Sequence, residues 1–238
     1  MPKAERTILS TRPLPAALLL EAAASGFVVN CLSFIHTEAI EDPALTQRLR
    51  FLATEPHSVV FTSMNAVEAV AAQVRQTPHW KLYCIGNTTR ALAESELGLK
   101  AAATADDAAA LADRIIAAGE QELLFFCGNI RRDTLPVKLR NSGIALEEIT
   151  VYRTEAAPQR IGSAYDAVLF FSPSAVQSFA SVNQWSPSTV YFAIGSTTAE
   201  ALRSAGAHRV ISADGPGKET LLRRAMDYLK NITTTDKS

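Results

Sequence analysis

A seven-residue phrase occurs twice in this chain. FTSMNAV, Phe61 to Val67, returns as FFSPSAV, Phe170 to Val176. Each copy follows an apolar run, Ser58-Val59-Val60 in one case and Ala167-Val168-Leu169 in the other. Each also opens a helix-like pattern. In the second copy Ser172 suits the N-cap and Pro173 the first helical position, where a missing N–H costs nothing. Both copies therefore read as a buried strand, a turn and a helix. Ser63 and Ser172 stand 172 − 63 = 109 positions apart. CIGNTT (Cys84 to Thr89) and AIGSTT (Ala193 to Thr198) keep that offset, with Gly86 facing Gly195. A looser pair has an offset of 117: Ile8-Leu9-Ser10-Thr11-Arg12 before Gly26, and Phe125-Phe126-Cys127-Gly128-Asn129 before Gly143. So long a period excludes a solenoid and indicates two related halves.

Between these landmarks, strand patterns alternate with helix patterns, which predicts parallel sheets covered on both faces. The expected fold class is α/β, with two flavodoxin-like parallel-sheet domains. Two strand-like runs are unusually long. One starts at Phe27 and continues past Phe34 through Thr37; the other is ALEEITVYRT, Ala145 to Thr154. They occupy equivalent places in the third pairing, so they predict a two-stranded ladder as the hinge. The expected domains are 1–34 with 155–238, and 38–148, linked by 35–37 and 149–154. An Ala-rich helix over Asp106 to Ala118 is expected to be capped by Thr104 or Asp106. The tail from Thr233 to Ser238 is expected to be disordered.

The repeated turns carry the chemistry. Thr62, Ser63 and Asn65; Gly86, Thr88 and Thr89; Ser172 and Ser174; and Gly195, Thr197 and Thr198 all follow strand ends. Thr11-Arg12 and Gly128-Asn129 add two more. In open α/β sheets ligands bind at the carboxyl ends of the strands. If the domains face each other, these turns line one cleft. It would be rich in hydroxyls and backbone N–H donors, with few carboxylates and almost no Lys or Arg. That suits a ligand with several carboxylates or phosphates held at helix N-termini. Taken singly, each turn could be no more than a helix cap. Tyr152, on the second long strand, is the one suggestive polar aromatic, and it either points into the cleft or packs the hinge.

Other classes are excluded or left without support. There is no GxGxxG, no P-loop, no nucleophile–His–Asp set and no HExxH. Cys31, Cys84 and Cys127 lie in or beside apolar runs and read as buried free thiols in a reducing compartment, and His36, His57, His79 and His208 are scattered. No metal site is expected. A net charge of −1 argues against a nucleic-acid surface. No apolar run approaches a membrane span and the N-terminus is not a signal peptide, so a cytoplasmic protein is expected. Without a heptad seam, a monomer is expected.

FTSMNAV, FFSPSAV, AIGSTTAEAL, LSTRP and VYRT, in this order over nearly the whole length, resemble the uroporphyrinogen-III synthase family. The resemblance implies two α/β domains on a two-stranded β-ladder with the active site between them. It implies the substrate hydroxymethylbilane, a linear tetrapyrrole with eight carboxylates, received from the preceding pathway enzyme. Water is lost, the macrocycle closes and ring D inverts, through an azafulvene and a spiro intermediate. No metal or organic cofactor is implied. Tyr152 matches the tyrosine after the return strand, expected to protonate or position the departing hydroxyl. A phenol is a weak acid, so a rate factor of at most about 10² to 10⁴ is expected. Ser63, Ser172, Ser174, Thr88, Thr197 and Thr198 match positions near the tetrapyrrole. Arg12 matches a basic residue suited to a carboxylate, or forms a surface ion pair. Met64 departs from the family phrase, which usually has Pro there.

Three readings compete with the synthase. A non-catalytic two-domain binding or sensor module would share the architecture, as would a silent paralogue, but Tyr152 and the turns favour the enzyme. A phosphosugar-type enzyme would use the helix N-termini for phosphate, but no base stands at a strand end.

Overall fold

The computed structural model describes residues 6–213, 215 and 217–235, the last three by backbone only. In chain order the elements begin with β1 (Arg6–Ser10), α1 (Ala16–Ala24), β2 (Phe27–Cys31), β3 (Ile35–Ala39) and α2 (Pro43–Leu52). Next come β4 (His57–Phe61), α3 (Met64–Ala71), β5 (Trp80–Ile85), α4 (Asn87–Leu97), β6 (Ala101–Ala105) and α5 (Ala108–Ala117). Then follow β7 (Glu122–Gly128), α6 (Thr134–Asn141), β8 (Ala145–Ala156), β9 (Ala167–Phe170) and α7 (Pro173–Ala180). The last are β10 (Val190–Ala193), α8 (Ser196–Ser204), β11 (Val210–Ser212) and α9 (Lys218–Thr235). The chain divides into two compact units, Met1–His36 with Glu155–Ser238, and Thr37–Thr154.

The first unit is a parallel sheet in the order β11-β10-β9-β1-β2. Its strands are apolar on both faces because helices cover both. Ile8, Leu169 and Phe192 pack on one side with Leu18, Leu221, Leu222 and Met226. Their neighbours Leu9, Val168, Phe170 and Tyr191 pack on the other with Phe34, Val176 and Phe179. The strand period of two thus assigns adjacent residues to separate cores. The Phe170 ring meets Phe179 edge-on at 5.4 Å. The final helix runs to Thr235, so the disorder expected from Thr233 is absent over 233–235; residues 236–238 lie outside the described residues.

The second unit is a sheet in the order β3-β8-β7-β4-β5-β6, parallel from β8 to β6. Val59, Phe61, Leu82 and Phe126 belong to one core, and Val60, Tyr83, Phe125 and Leu139 to the other. The cap of α5 is Asp107, whose Oδ1 accepts the Ala110 N–H at 2.8 Å, and not Thr104 or Asp106. Three candidates stand close together there, and only Asp107 directly precedes the first helical residue.

The run from Phe27 to Thr37 is not one strand. It breaks at Leu32–Phe34 into β2, paired with β1, and β3, paired with β8. The Ile40 N–H donates to Val151 O and the Ala157 N–H to Phe34 O, both at 2.9 Å. These positions close in opposite directions, as antiparallel strands do. The chain passes between the units at His36–Thr37 and Thr154–Glu155, on these two strands. The sheet of the second unit extends further along β8 than a linker over 149–154 would allow. Ile149, Thr150 and Tyr152 are all in register with β7. Tyr152 is therefore a sheet residue at the carboxyl edge.

The unequal offsets of the repeats have a topological cause. In the first unit the strands run 2-1-3-4-5 in their own chain order, which is the flavodoxin-like order. In the second, β8-β7-β4-β5-β6 has the same spatial order with the chain entering at the third strand. The units are circular permutations of one another. Hence β4 and β5 match β9 and β10 with one offset, while β1 matches β7 with another.

At the opposite edge of the second unit, Glu120 accepts hydrogen bonds from Ser58 Oγ, from Lys81 Nζ at 2.6 Å and from Tyr83 Oη at 2.7 Å. Burial pushes the Glu120 carboxyl up, but these three donors outweigh it and hold the group below its ordinary 4.5. A lowered carboxyl adds stability above its unfolded-state value that is lost as pH falls through the folded one. Glu120→Gln is expected to lower stability by about 1 kcal/mol at pH 7. Its melting curve should converge on that of the unsubstituted protein as pH falls below 4.5. Melting temperatures across pH 3 to 7 (about the carboxylate range) check this.

Candidate active site

In a sheet of this order the crevice opens where adjacent strands lead away in opposite directions. In the second unit that point lies between β4 and β7. Thr62 and Ser63 follow β4; Gly128 ends β7, and Asn129 follows it. Ser63 is the N-cap of α3, accepting the Ala66 N–H at 3.2 Å, and it donates its own proton to Tyr152 Oη at 3.2 Å. With its oxygen accepting from Ser63, the Tyr152 phenol keeps its proton free to donate elsewhere. The ring lies on the bare α-carbon of Gly128. A β-carbon there would stand 2.5 Å from Tyr152 Cε2 and Cζ and 2.9 Å from Oη. Tyr152 is 9% exposed.

Asn129, expected at the ligand, is bonded to the neighbouring strand. Its Oδ1 accepts the Thr154 N–H at 2.8 Å, its Nδ2 donates to Thr154 O at 3.3 Å, and its own N–H donates to Tyr152 O at 3.2 Å. These bonds tie Asn129 to the β8 backbone beside Tyr152, and the amide keeps a second N–H. The only trace of this in sequence is that an amide at a strand end can bond to a neighbouring backbone as readily as to a ligand.

A cavity of about 380 Å³ opens at this edge, lined by Thr62, Ser63, Cys127, Gly128, Tyr152 and the Ile130-Arg131-Arg132 turn, among others. The expectation of a site almost without Lys or Arg is thus corrected for this unit. Arg131 is bound by Glu148 and Asp133, and Arg140 also reaches Glu148, at 2.7 Å. Arg132 is exposed and forms no ion pair among the described residues. The doubled arginine after Gly128-Asn129 is the signal that sequence reasoning passed over.

The neighbouring turn begins α4. Gly86 takes φ +70°, a left-handed value that favours glycine, and no side chain caps the helix. The first N–H groups of α4 are therefore open to an anion. Thr88 is exposed there, while Thr89 is buried, and Asn65 is half-buried in α3. Arg90 was also passed over. Its Nε is buried without a partner among the described residues. It stands where the other copy has Ala199, so the break in the repeat is its sequence signal.

In the first unit the crevice lies between β1 and β9. The Thr11 N–H and Oγ1 both donate to Leu169 O, at 3.0 and 2.8 Å. Ser10 Oγ donates to Arg12 O at 2.6 Å, and Arg12 is exposed. Ser172 caps α7 by accepting the Ala175 N–H at 3.2 Å. Ser174 is half-buried at the start of α7, Gly195 is half-buried at the start of α8, and Thr197 is half-buried within the first turn of α8, which has no side-chain cap. Thr198, expected beside the ligand, is 3% exposed, on the inner face of α8. Helical period, which turns each residue about 100° from the last, separates it from Thr197.

Burial raises the Cys84 thiol to about 12 and the Cys127 thiol to about 11, so neither supplies a thiolate near neutrality. Cys31, expected to be buried, is exposed at the end of the edge strand β2. A thiol reagent is expected to modify Cys31 alone in the folded protein and all three cysteines in denaturant; rapid native modification of Cys127 would contradict its placement. Among the described residues no group of three or more His, Cys, Asp or Glu is placed to hold a metal ion. None of their helices is long and apolar enough to cross a membrane.

The fold has counterparts among solved structures. The chain is similar to uroporphyrinogen-III synthetase from Helicobacter pylori 26695, with 18% identity and a TM-score of 0.67, over 94% of this chain and 99% of that one. It is similar also to a mutant uroporphyrinogen III synthase from the extremely thermophilic bacterium Thermus thermophilus, with 17% identity and a TM-score of 0.67, over 94% and 99%. At these identities the likeness establishes the fold. The family model described as uroporphyrinogen-III synthase HemD matches residues 16–223, which includes every turn named above except Thr11-Arg12. The chain belongs to the uroporphyrinogen-III synthase family.

Proposed function

We propose that the chain is a working synthase, a dehydrating, ring-closing lyase acting on hydroxymethylbilane, with Tyr152 as its acid. The observation that carries this is the direction of one hydrogen bond. Ser63 donates to Tyr152 Oη, which leaves the phenol as a donor at the mouth of a cavity. Tyr152 gives its proton to the departing hydroxyl, and the C–O bond breaks toward oxygen. The pyrrole N–H loses a proton as the azafulvene forms, so water leaves with no net change in protonation. Ring D then attacks the azafulvene methylene through its substituted α-carbon to form the spiro intermediate; the bond from that carbon to the ring C bridge breaks and re-forms at ring D's other α-carbon, which loses its proton, and ring D is left inverted. Proximity of the chain ends supplies most of the rate.

The two units divide the work. Position 128 is glycine beneath Tyr152, whereas its counterpart, Thr11, carries a side chain bonded to Leu169. The second unit therefore holds the acid and the first serves binding. The open N–H groups of α4 and α8, the hydroxyls of Ser172, Ser174, Thr88 and Thr197, and the cations Arg12, Arg90 and Arg132 take carboxylates of the substrate. Action as a cytoplasmic monomer on bilane from the preceding pathway enzyme belongs to the same proposal, on the sequence alone. Bilane labelled with ¹⁸O in its terminal hydroxyl tests the lyase step. Label should appear in water in step with macrocycle formation and in proportion to protein. Release at a rate indifferent to protein would contradict it.

A further inference from the structure

In the first unit the Lys218 ammonium stands against the turn that carries Arg12, near enough to sense its charge, and among the described residues neither cation has an ion-pair partner. Lys218, the first residue of α9, donates from Nζ to Pro13 O at 3.1 Å. That bond sets the ammonium beside the turn after β1, one residue from Arg12. The Arg12 backbone is itself fixed, because Ser10 Oγ donates to its carbonyl. Neither side chain forms an ion pair with any carboxylate among the described residues. A basic residue further along α9 behaves differently: Arg223 holds both Glu21 and Glu219. Two like charges placed together repel, and folding gains nothing from leaving them unbalanced. Burial and the Arg12 charge both push the Lys218 ammonium below its ordinary value, with Cys31 acting weakly the other way. A cation partly stripped of water beside a second cation is a site for a negative group.

The place of the pair is specific. The Thr11 bonds to Leu169 O hold the β1 turn against the end of β9, where Ser172 begins α7. The pair therefore stands at the crevice of the first sheet. Its size selects the ligand. A guanidinium offers a planar pair of donors, and the ammonium has two N–H bonds left after Pro13. Together they match one carboxylate, taken by Arg12 on two N–H groups and by Lys218 on one oxygen. Nothing in the repeat marks Lys218, because it lies outside the duplicated phrases.

We propose that Arg12 and Lys218 form a two-cation subsite for one carboxylate of the tetrapyrrole, with Lys218 acting in binding and not in chemistry. This rests on the synthase reading for the identity of the ligand but not for the existence of the site. Two measurements on the full chain separate them. The first is initial rate against hydroxymethylbilane concentration for the unsubstituted protein, Lys218→Gln and Lys218→Arg. The second is the affinity of the same proteins for uroporphyrin III, read from tryptophan fluorescence. Lys218→Gln is expected to raise KM about tenfold with kcat within threefold, and to weaken uroporphyrin III binding about tenfold, as loss of one charge-assisted bond does. Lys218→Arg should restore most of both. Melting temperature should stay within a few degrees, because Lys218 makes one exposed bond. Unchanged KM and unchanged affinity in Lys218→Gln would overturn the subsite, as would a fall in kcat alone. An unsubstituted protein that binds uroporphyrin III in a Lys218-dependent way, yet makes no type III product, would overturn the synthase reading and leave the subsite standing.

Discussion

Tyr152→Phe is expected to lower the rate of uroporphyrinogen III formation by about 10² to 10⁴, the range of a lost general acid. KM should change little, because the phenol makes its decisive contact as the C–O bond breaks. The substitution removes one hydroxyl whose partner among the described residues is Ser63, at 3.2 Å. Ser63 keeps its capping bond to Ala66, so α3 and the turn stay in place. Loss of stability should be small, about 1 kcal/mol. Circular dichroism and melting temperature separate the chemical effect from a folding one. Turnover within threefold of the unsubstituted protein would remove Tyr152 from the chemistry.

Gly128→Ala is expected to be nearly as damaging without touching a reactive group. A methyl at 128 would meet the Tyr152 ring at 2.5 Å, well inside van der Waals contact. The backbone there takes no left-handed conformation, so the cost is steric and falls on the ring. Either the ring leaves its place or β7 and β8 separate. Overpacking of this kind costs about 1 to 3 kcal/mol. The phenol also moves by an ångström or more, which is expected to cost turnover about 10². The cause can be isolated by a double substitution. Adding Gly128→Ala to Tyr152→Ala should cost almost no further stability, because the ring is gone, and the two effects should be far from additive. Equal stability losses in both backgrounds would show that the methyl clashes with something other than Tyr152.

Much of this arrangement was legible in the duplicated phrases. FTSMNAV and FFSPSAV both end a strand and cap a helix through their serine, since local signals of β-strand, Ser N-cap and helix agree there. The alternation of buried residues on β4, β7 and β9 follows from the same runs. The break at Leu32–Phe34 was not legible, because an apolar run contains no sign of which sheet each half will join. The same limit hid how far β8 serves its own sheet before it meets β3. At the site, side-chain identity pointed to hydroxyls at strand ends, and Ser63 and Tyr152 are together there. It could not show that Asn129 bonds backward to Thr154, nor that Thr198 turns inward while Thr197 does not. Those outcomes depend on three-dimensional neighbours. Arg90, Arg132 and Lys218 were missed because reading by repeats favours what the copies share, and these cations occur in one copy only.

The most direct test of the account is the isomer composition of the product. Freshly made hydroxymethylbilane is incubated with increasing amounts of protein, the products are oxidised, and type I and type III uroporphyrins are separated by chromatography. Spontaneous closure leaves ring D uninverted and yields type I. Type III is expected to rise in proportion to protein and to displace type I, while Tyr152→Phe at equal concentration leaves type I dominant. Type I alone from well-folded unsubstituted protein would contradict the synthase reading and favour a tetrapyrrole-binding module without chemistry.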